Sequence, residues 1–460
     1  MAVEESNLRV RELVDRAQNV CQPEDFTGSD TQRIQRAIDS CQGGGTVRLQ
    51  SGRTYADLGT IELKSGVTLD LNGATLVSST DPADFWGLKC SSGPCESHRV
   101  FIGTRSGTRN VKILGPGTIK KGKGSDSWHS MVDFFGATDI EVRGASSNPA
   151  DHVVIDSRDM VPMPSSGIHL NAQESQNILF EHITIRGRRD GSGNGGIMLQ
   201  TASHVTVRDC DIDTNDDGVG IKPDKAGMVM EDILVEDCRI TDDAGALKFG
   251  SGTAGDARNI TFHNITIYNL RPVSEGGSWR NGAIQFGLID GGSISDVTFS
   301  NITIESDVNR LLSCNSGNVA YVDDCIGQRN EGDPIGSIRN ICFENFTIKG
   351  GAGNGSVFGG NLGSQVQNVK FLNINFERGS GNTPLVKFKN INGLTIANYT
   401  TNDPNHTGNA NQDFRFDNVT GLTITSDTTM SCSGGSSGEL PPLDTTPPSA
   451  PQNPRVRIVQ

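Results

Sequence analysis

Long apolar runs are missing from this 460-residue chain. No stretch of about 18 consecutive apolar residues occurs, so no segment has the length and character of a membrane-crossing helix. A basic excess is missing too: Lys+Arg number 40 against Asp+Glu 54, a net charge of −14. That balance argues against a nucleic-acid partner, which needs a basic face. Aromatic residues make up only 5% of the chain. The 56 glycines follow no three-residue period, which excludes collagen. No C-x-x-C pair occurs among the 10 cysteines, so a zinc centre is not expected, and no other metal site or cofactor is read from the chain. Met1-Ala2-Val3-Glu4-Glu5 lacks the basic start and apolar run of a signal peptide.

The cysteines that are present suggest staples. Cys90 and Cys95 close one short glycine-containing loop, Cys314 and Cys325 close another, and Cys21 and Cys41 flank an apparent helix. Bridges there require an oxidising compartment, so secretion is expected, with the leader absent from this sequence. The other reading is buried free thiols. It suits Cys210 and Cys238 best, because they hold the same place in consecutive repeats.

Those repeats are the main architectural signal. QNILFEHITIRG begins at Gln176, SHVTVRDCDIDT at Ser203, EDILVEDCRITD at Glu231 and RNITFHNITIYN at Arg258. SDVTFSNITIES follows from Ser295, RNICFENFTIKG from Arg339, QNVKFLNINFER from Gln367 and NGLTIANYTTND from Asn392, with RNVKILGPGTI from Arg109 and TDIEVRG from Thr138 upstream. Alternate β-branched or aromatic residues mark strands with one buried face. The Asn or Asp after the first strand marks a bend, since these side chains tolerate left-handed backbone. Many starts lie close to 27 or 28 residues apart, while the wider gaps 258–295 and 295–339 leave room for loops. That period fits one coil of a parallel β-helix with insertions on one face. The chain is therefore expected to be all-β: a right-handed, single-stranded parallel β-helix with an N-terminal capping helix. Ser29-Asp30 can cap that helix over Thr31–Cys41, where Ile34, Ala37 and Ile38 make an apolar stripe. Residues 5–20 could add another helix.

Asn-x-Ser/Thr triplets at Asn259, Asn264, Asn301, Asn345 and Asn398 are read as one stacked polar ladder at a bend rather than as glycosylation acceptors. The expected layout is an extension over 1–24, the solenoid catalytic domain over 25–430, and a Ser/Gly/Pro-rich linker over 431–460. Within that linker, Asp444–Val456 looks like the truncated entry to a fibronectin type III module.

Gly28–Asp84 resembles the amino-terminal region of the polygalacturonase family of glycoside hydrolases (family 28), with its lid helix, GGG-x-V strands and G-A-x-L…D-P turn. Gly115-Pro116-Gly117-Thr118-Ile119, followed by Gly122 and Trp128, resembles its G-x-G-x-I-x-G…W segment. Cys210-Asp211-Ile212-Asp213-Thr214-Asn215-Asp216-Asp217-Gly218-Val219-Gly220-Ile221-Lys222 is similar to its C-x-I-x-T-G-D-D-C-I-A-I-K. The resemblance covers roughly residues 25–420. It implies a right-handed parallel β-helix acting on a polysaccharide, by inversion, without a cofactor. Three other family motifs do not survive. N-T-D aligns with Gly193-Asn194-Gly195, G-H-G with Ala244-Gly245-Ala246, and R-I-K falls in Gly282–Phe286.

Inverting hydrolysis needs a protonated carboxyl on one side of the bond and a carboxylate that activates water on the other, about 6.5–9.5 Å apart. Asp216 and Asp217 are the first catalytic candidates, with Asp243 or Asp190 as the missing carboxylate. Lys248, which holds a similar position to Lys222 in the successive coil, could replace the lost cation. Gln285 stands in the lost R-I-K segment, and the loop 270–281 offers Arg271, Glu275, Trp279 and Arg280 as a sugar platform. His169 and His182 are read as structural.

The leading expectation is a secreted glycosidase acting on a pectin-like or other non-standard glycan, as a monomer with no nucleic-acid or membrane partner. A β-helix lyase, epimerase or glycan transferase is one alternative. A non-catalytic carbohydrate-binding solenoid is the other.

Overall fold

Ladders of like residues, one per coil, run the length of the chain. Val205 pairs with Ile233, and the line continues through Ile260, Val297, Ile341, Val369, Leu394 and Leu422, always in parallel register. A computed structural model of the chain describes residues 19–89, 99–124, 129–159, 167–188, 194–242, 244–268, 282–305, 310–314, 324–330, 332–349, 356–360, 366–377, 384–402, 406 and 408–432. Within them the strands form one 22-stranded and one 10-stranded sheet. The antiparallel pair among the described residues is Trp86–Gly87 on Arg99–Thr104. This is the parallel β-helix expected from the repeats.

The register matches the repeat starts, including across the wide gaps. Arg109 pairs with Thr138, Thr138 with Gln176, Gln176 with Ser203, Arg258 with Ser295, and Ser295 with Arg339. Extra residues therefore leave the ladder as loops without shifting it. Inward residues fill one continuous core. Phe262, Phe299 and Phe343 stack face to face at 4.9 and 5.0 Å, the spacing of adjacent strands.

Bends are made by left-handed residues. Asp209, Asp237, Asn264, Asn301, Asn345, Asn373 and Asn398 all have φ between 50° and 57°. Asparagine and aspartate adopt this conformation most readily among residues with a side chain. Asn345 donates to Asn301 at 3.1 Å, Asn373 to Asn345 at 3.1 Å, and Asn398 to Asn373 at 2.8 Å. The single ladder expected from the triplets is two. Asn259 belongs to a second line, where it donates to Asp232, and Asn340 and Asn368 continue that line farther on.

The helix Asp30–Cys41 starts at Ser29, whose side chain and Gln32 form a reciprocal capping box. It buries Ile34, Ala37, Ile38 and Cys41 over the first coil. The Cys21–Cys41 and Cys314–Cys325 bridges form, and Cys210 and Cys238 are buried thiols. A third bridge, Cys342–Cys432, escaped the sequence because its partners lie 90 residues apart. Cys90, Cys95, the expected helix before residue 19 and the segment Asp444–Val456 lie outside the described residues.

Candidate active site

Strands Asp211–Asp213 and Val219–Lys222 are joined by a bend, Thr214–Gly218, that leads from the large sheet into the small one. Gly218 is required by close approach: a Cβ there would lie 2.5 Å from Ile240 and 2.7 Å from the Ala246 carbonyl. The two aspartates before it part company. Asp217 is only 1% exposed, whereas Asp216 is half-buried and reaches the surface.

Two lysines converge on Asp217. Lys248 Nζ donates to its Oδ1 at 2.7 Å, and Lys222 Nζ stands 3.4 Å from Oδ2. The lysines hold similar positions, as the sequence suggested, but not equivalent ones. Lys248 pairs with Gly220, two residues before Lys222. Because alternate residues of a strand share a face, both still project from the outer side of the small sheet. Met198, Gly220, Lys248, Gln285 and Ser313 follow one another on that side, strand by strand. In this structure both cations are turned onto Asp217.

The charges set the protonation states. Burial pushes the Asp216 carboxyl up to about 6, and the Asp217 charge adds to the rise, while Lys248 and Lys222 oppose it. Burial also acts to raise Asp217, but Lys248 and Lys222 outweigh it and hold the carboxyl below its ordinary value. Burial acts to lower Lys248, and Asp217 followed by Asp216 reverses that and raises it. The pair is thus split, one carboxyl that keeps its proton to weakly acidic pH and one fixed as an anion. Such divergence is how neighbouring carboxylates take separate acid and base roles.

Of the residues expected from the sequence, the fold brings together Asp216, Asp217, Lys222, Lys248 and Gln285. Asp190, Asp243, Arg271, Glu275, Trp279 and Arg280 lie outside the described residues. Asp242, next to Asp243, is buried and its charge supports Lys248. His169 is buried, with Nδ1 at 2.8 Å from the Gly195 carbonyl and Nε2 at 2.8 Å from Ser157 Oγ. Burial takes its pKa down to about 4, so it stays neutral and braces the coil. Lys121 is also fully buried, and desolvation takes it down to about 7. No sequence pattern marked it. Glu181, His182 and Asp209 bring ligand atoms within 4.8 Å of one another, the kind of group that could hold a metal. Arg208 already donates to Glu181 at 2.6 Å, which fits an ion-pair network better.

A family model described as a right handed beta helix region matches residues 129–287, which include the whole bend. An endo-polygalacturonase of Pectobacterium parmentieri is 26% identical over 254 residues, covering 52% of this chain and 61% of that protein. A probable endo-xylogalacturonan hydrolase A of Aspergillus flavus is 22% identical over 251 residues, 52% of this chain and 57% of that protein. The chain thus spans about three fifths of the length of these relatives. Among solved structures, a family 28 exopolygalacturonase of Yersinia enterocolitica superposes with a TM-score of 0.68 at 18% identity, covering 90% of this chain and 79% of that one. These comparisons agree on the fold, a right-handed parallel β-helix, and over about half of its length the chain is similar in sequence to polygalacturonases and xylogalacturonan hydrolases.

Proposed function

We propose that the solenoid is a glycoside hydrolase that cleaves α-linked bonds in a pectin-like polysaccharide, with inversion and with Asp216 as the general acid. The observation that carries this reading is the split pair: Asp216 is held near 6 and partly open to solvent, beside an Asp217 locked by two lysines. A carboxyl that is still protonated at weakly acidic pH can deliver its proton to a leaving oxygen. Asp217 is the fixed negative charge that helps keep that proton on. The water-activating carboxylate is assigned to Asp243 or Asp190. The relatives act on galacturonan-type polymers by name, which supports a pectic substrate. Three disulfides support an extracellular setting.

The test is a screen of polygalacturonate, xylogalacturonan and rhamnogalacturonan with product analysis, repeated on Asp216→Asn, Asp217→Asn, Asp243→Asn and Asp190→Asn. Loss of turnover in Asp216→Asn, with polymer still bound, is expected. Full turnover in that variant removes the assignment.

A further inference from the structure

The outer face of the small sheet does not run open to its N-terminal end. Residues 79–89 leave the first coils and turn back across it. Their path is anchored: Asp81 caps the short turn Pro82–Asp84, Phe85 stacks on His129 at 4.0 Å, and Trp86–Gly87 pairs with the start of Arg99–Thr104. Leu88, only 3% exposed, then lies against Gly103 on the outer face, where a Cβ would come within 3.3 Å of Leu88 Cδ1 and 2.5 Å of the Asp133 carbonyl. Lys89 reaches farther along. Its ammonium lies 3.8 Å from Asp133, bonds the Gln173 side-chain oxygen, and stands 5.7 Å from the Phe135 ring centre. Asn171 donates to Asp133 at 3.0 Å and completes the anchor.

This plug is in line with Lys222, the lysine that faces Asp217 beside the proposed acid. Gln173 pairs with Gln200, and Gln200 with Lys222, so Lys89 ends on the same line of residues that carries Lys222. Two strand spacings separate the Gln173 and Lys222 strands, about 10 Å along the solenoid axis. A polysaccharide lying along the sheet on this line meets Lys89 about 10 Å before Lys222.

Resting on the hydrolase reading above, we propose that Leu88 and Lys89 close this end of the groove and make the enzyme exo-acting, so that it releases a mono- or disaccharide from one terminus of a pectic chain. Lys89 is the specificity-determining residue, because its side chain occupies the line that a longer chain would have to follow.

The experiment follows product sizes and viscosity during hydrolysis of polygalacturonate, xylogalacturonan and rhamnogalacturonan by the wild-type protein and by Lys89→Ala. From the wild type, a single short product is expected from the first time points, with viscosity falling far behind the rise in reducing ends. Lys89→Ala is expected to add longer products early. A wild-type ladder of intermediate oligosaccharides with early collapse of viscosity overturns the inference and leaves the hydrolase reading standing. The wild-type profile decides this even should Lys89→Ala fail to fold. No cleavage of any polymer by the wild type removes the hydrolase reading, and the inference with it.

Discussion

Replacing Asp216 by Asn should abolish turnover and, at neutral pH, make the protein more stable. The carboxyl is raised from 3.8 to about 6 by burial and by Asp217. The difference, about 2 pH units at 1.36 kcal/mol each, comes to about 3 kcal/mol. The sign follows from proton counts. Between pH 3.8 and about 6 the folded protein keeps a proton that the unfolded chain has released, so stability falls as pH rises through that window. Above it the whole cost is present, and below it none is. Asparagine carries no charge to bury and keeps an oxygen that can accept the Asp217 backbone N–H, the bond that the carboxylate makes. Denaturant unfolding followed by circular dichroism should therefore show Asp216→Asn more stable than wild type by about 2–3 kcal/mol at about pH 7.5, and equal to it at about pH 3.5. Equal or lower stability of the variant at the higher pH would refute the claim that Asp216 is held protonated by its surroundings.

Lys248→Met removes a cation that lowers Asp216, so the alkaline limb of the kcat profile, expected near 6, should move to higher pH; an unmoved limb would disconnect the two groups. The same change leaves Asp217 buried with Lys222 alone, and unfolding measurements should show a loss of about 3–5 kcal/mol. Asn345→Ala puts a Cβ residue without a local partner at φ 57° and cuts two ladder bonds, which should cost about 2–3 kcal/mol; Asn345→Gly, free of the backbone strain, should cost about half as much. Cys432→Ser opens a bridge of sequence separation 90, and loop entropy predicts a loss of about 4–5 kcal/mol in non-reducing melts.

The solenoid was legible because its signal is local and repeated. Alternation around Val205, Ile233 and Ile260 states which face is inside, and the Asp or Asn four residues on states where the chain turns. The bend at Asp216-Asp217 was legible for the same reason, as it sits at a fixed place in its coil. What the pattern could not carry was anything set by contact between coils. Lys222 and Lys248 follow their aspartate turns at similar sequence distances, yet the register offsets them by two residues, because Asp242, next after Thr241, falls at the coil position of Thr214, two before Asp216. Cys342 and Cys432 gave no signal because the closing segment crosses several coils to meet its partner. Lys89 carried no signal in the sequence, and its meaning comes from Asp133 and Gln173, 44 and 84 residues away.

The same separation of local from stacked information explains why the candidate chemistry sits on a bend. Neighbouring residues in a strand point to opposite faces. Two aspartates inside a strand would thus place one carboxyl in the core and the other in solvent, and neither would tune the other's proton. On the bend, both carboxyls stay near the outer face of the small sheet, close enough for the charge on Asp217 to raise Asp216. Asp217 then needs a cation to remain ionised while 1% exposed, and a parallel coil supplies one from the next strand, about 5 Å along the axis. Lys248 fills that place, from the strand position beside Gly220. The acid is therefore set by its neighbour in sequence, and that neighbour's charge by the following coil. Any insertion that slipped the strand Gly245–Ser251 by one residue would turn Lys248 inward, leave Asp217 unbalanced, and remove the difference between the two carboxyls on which the proposed proton transfer depends.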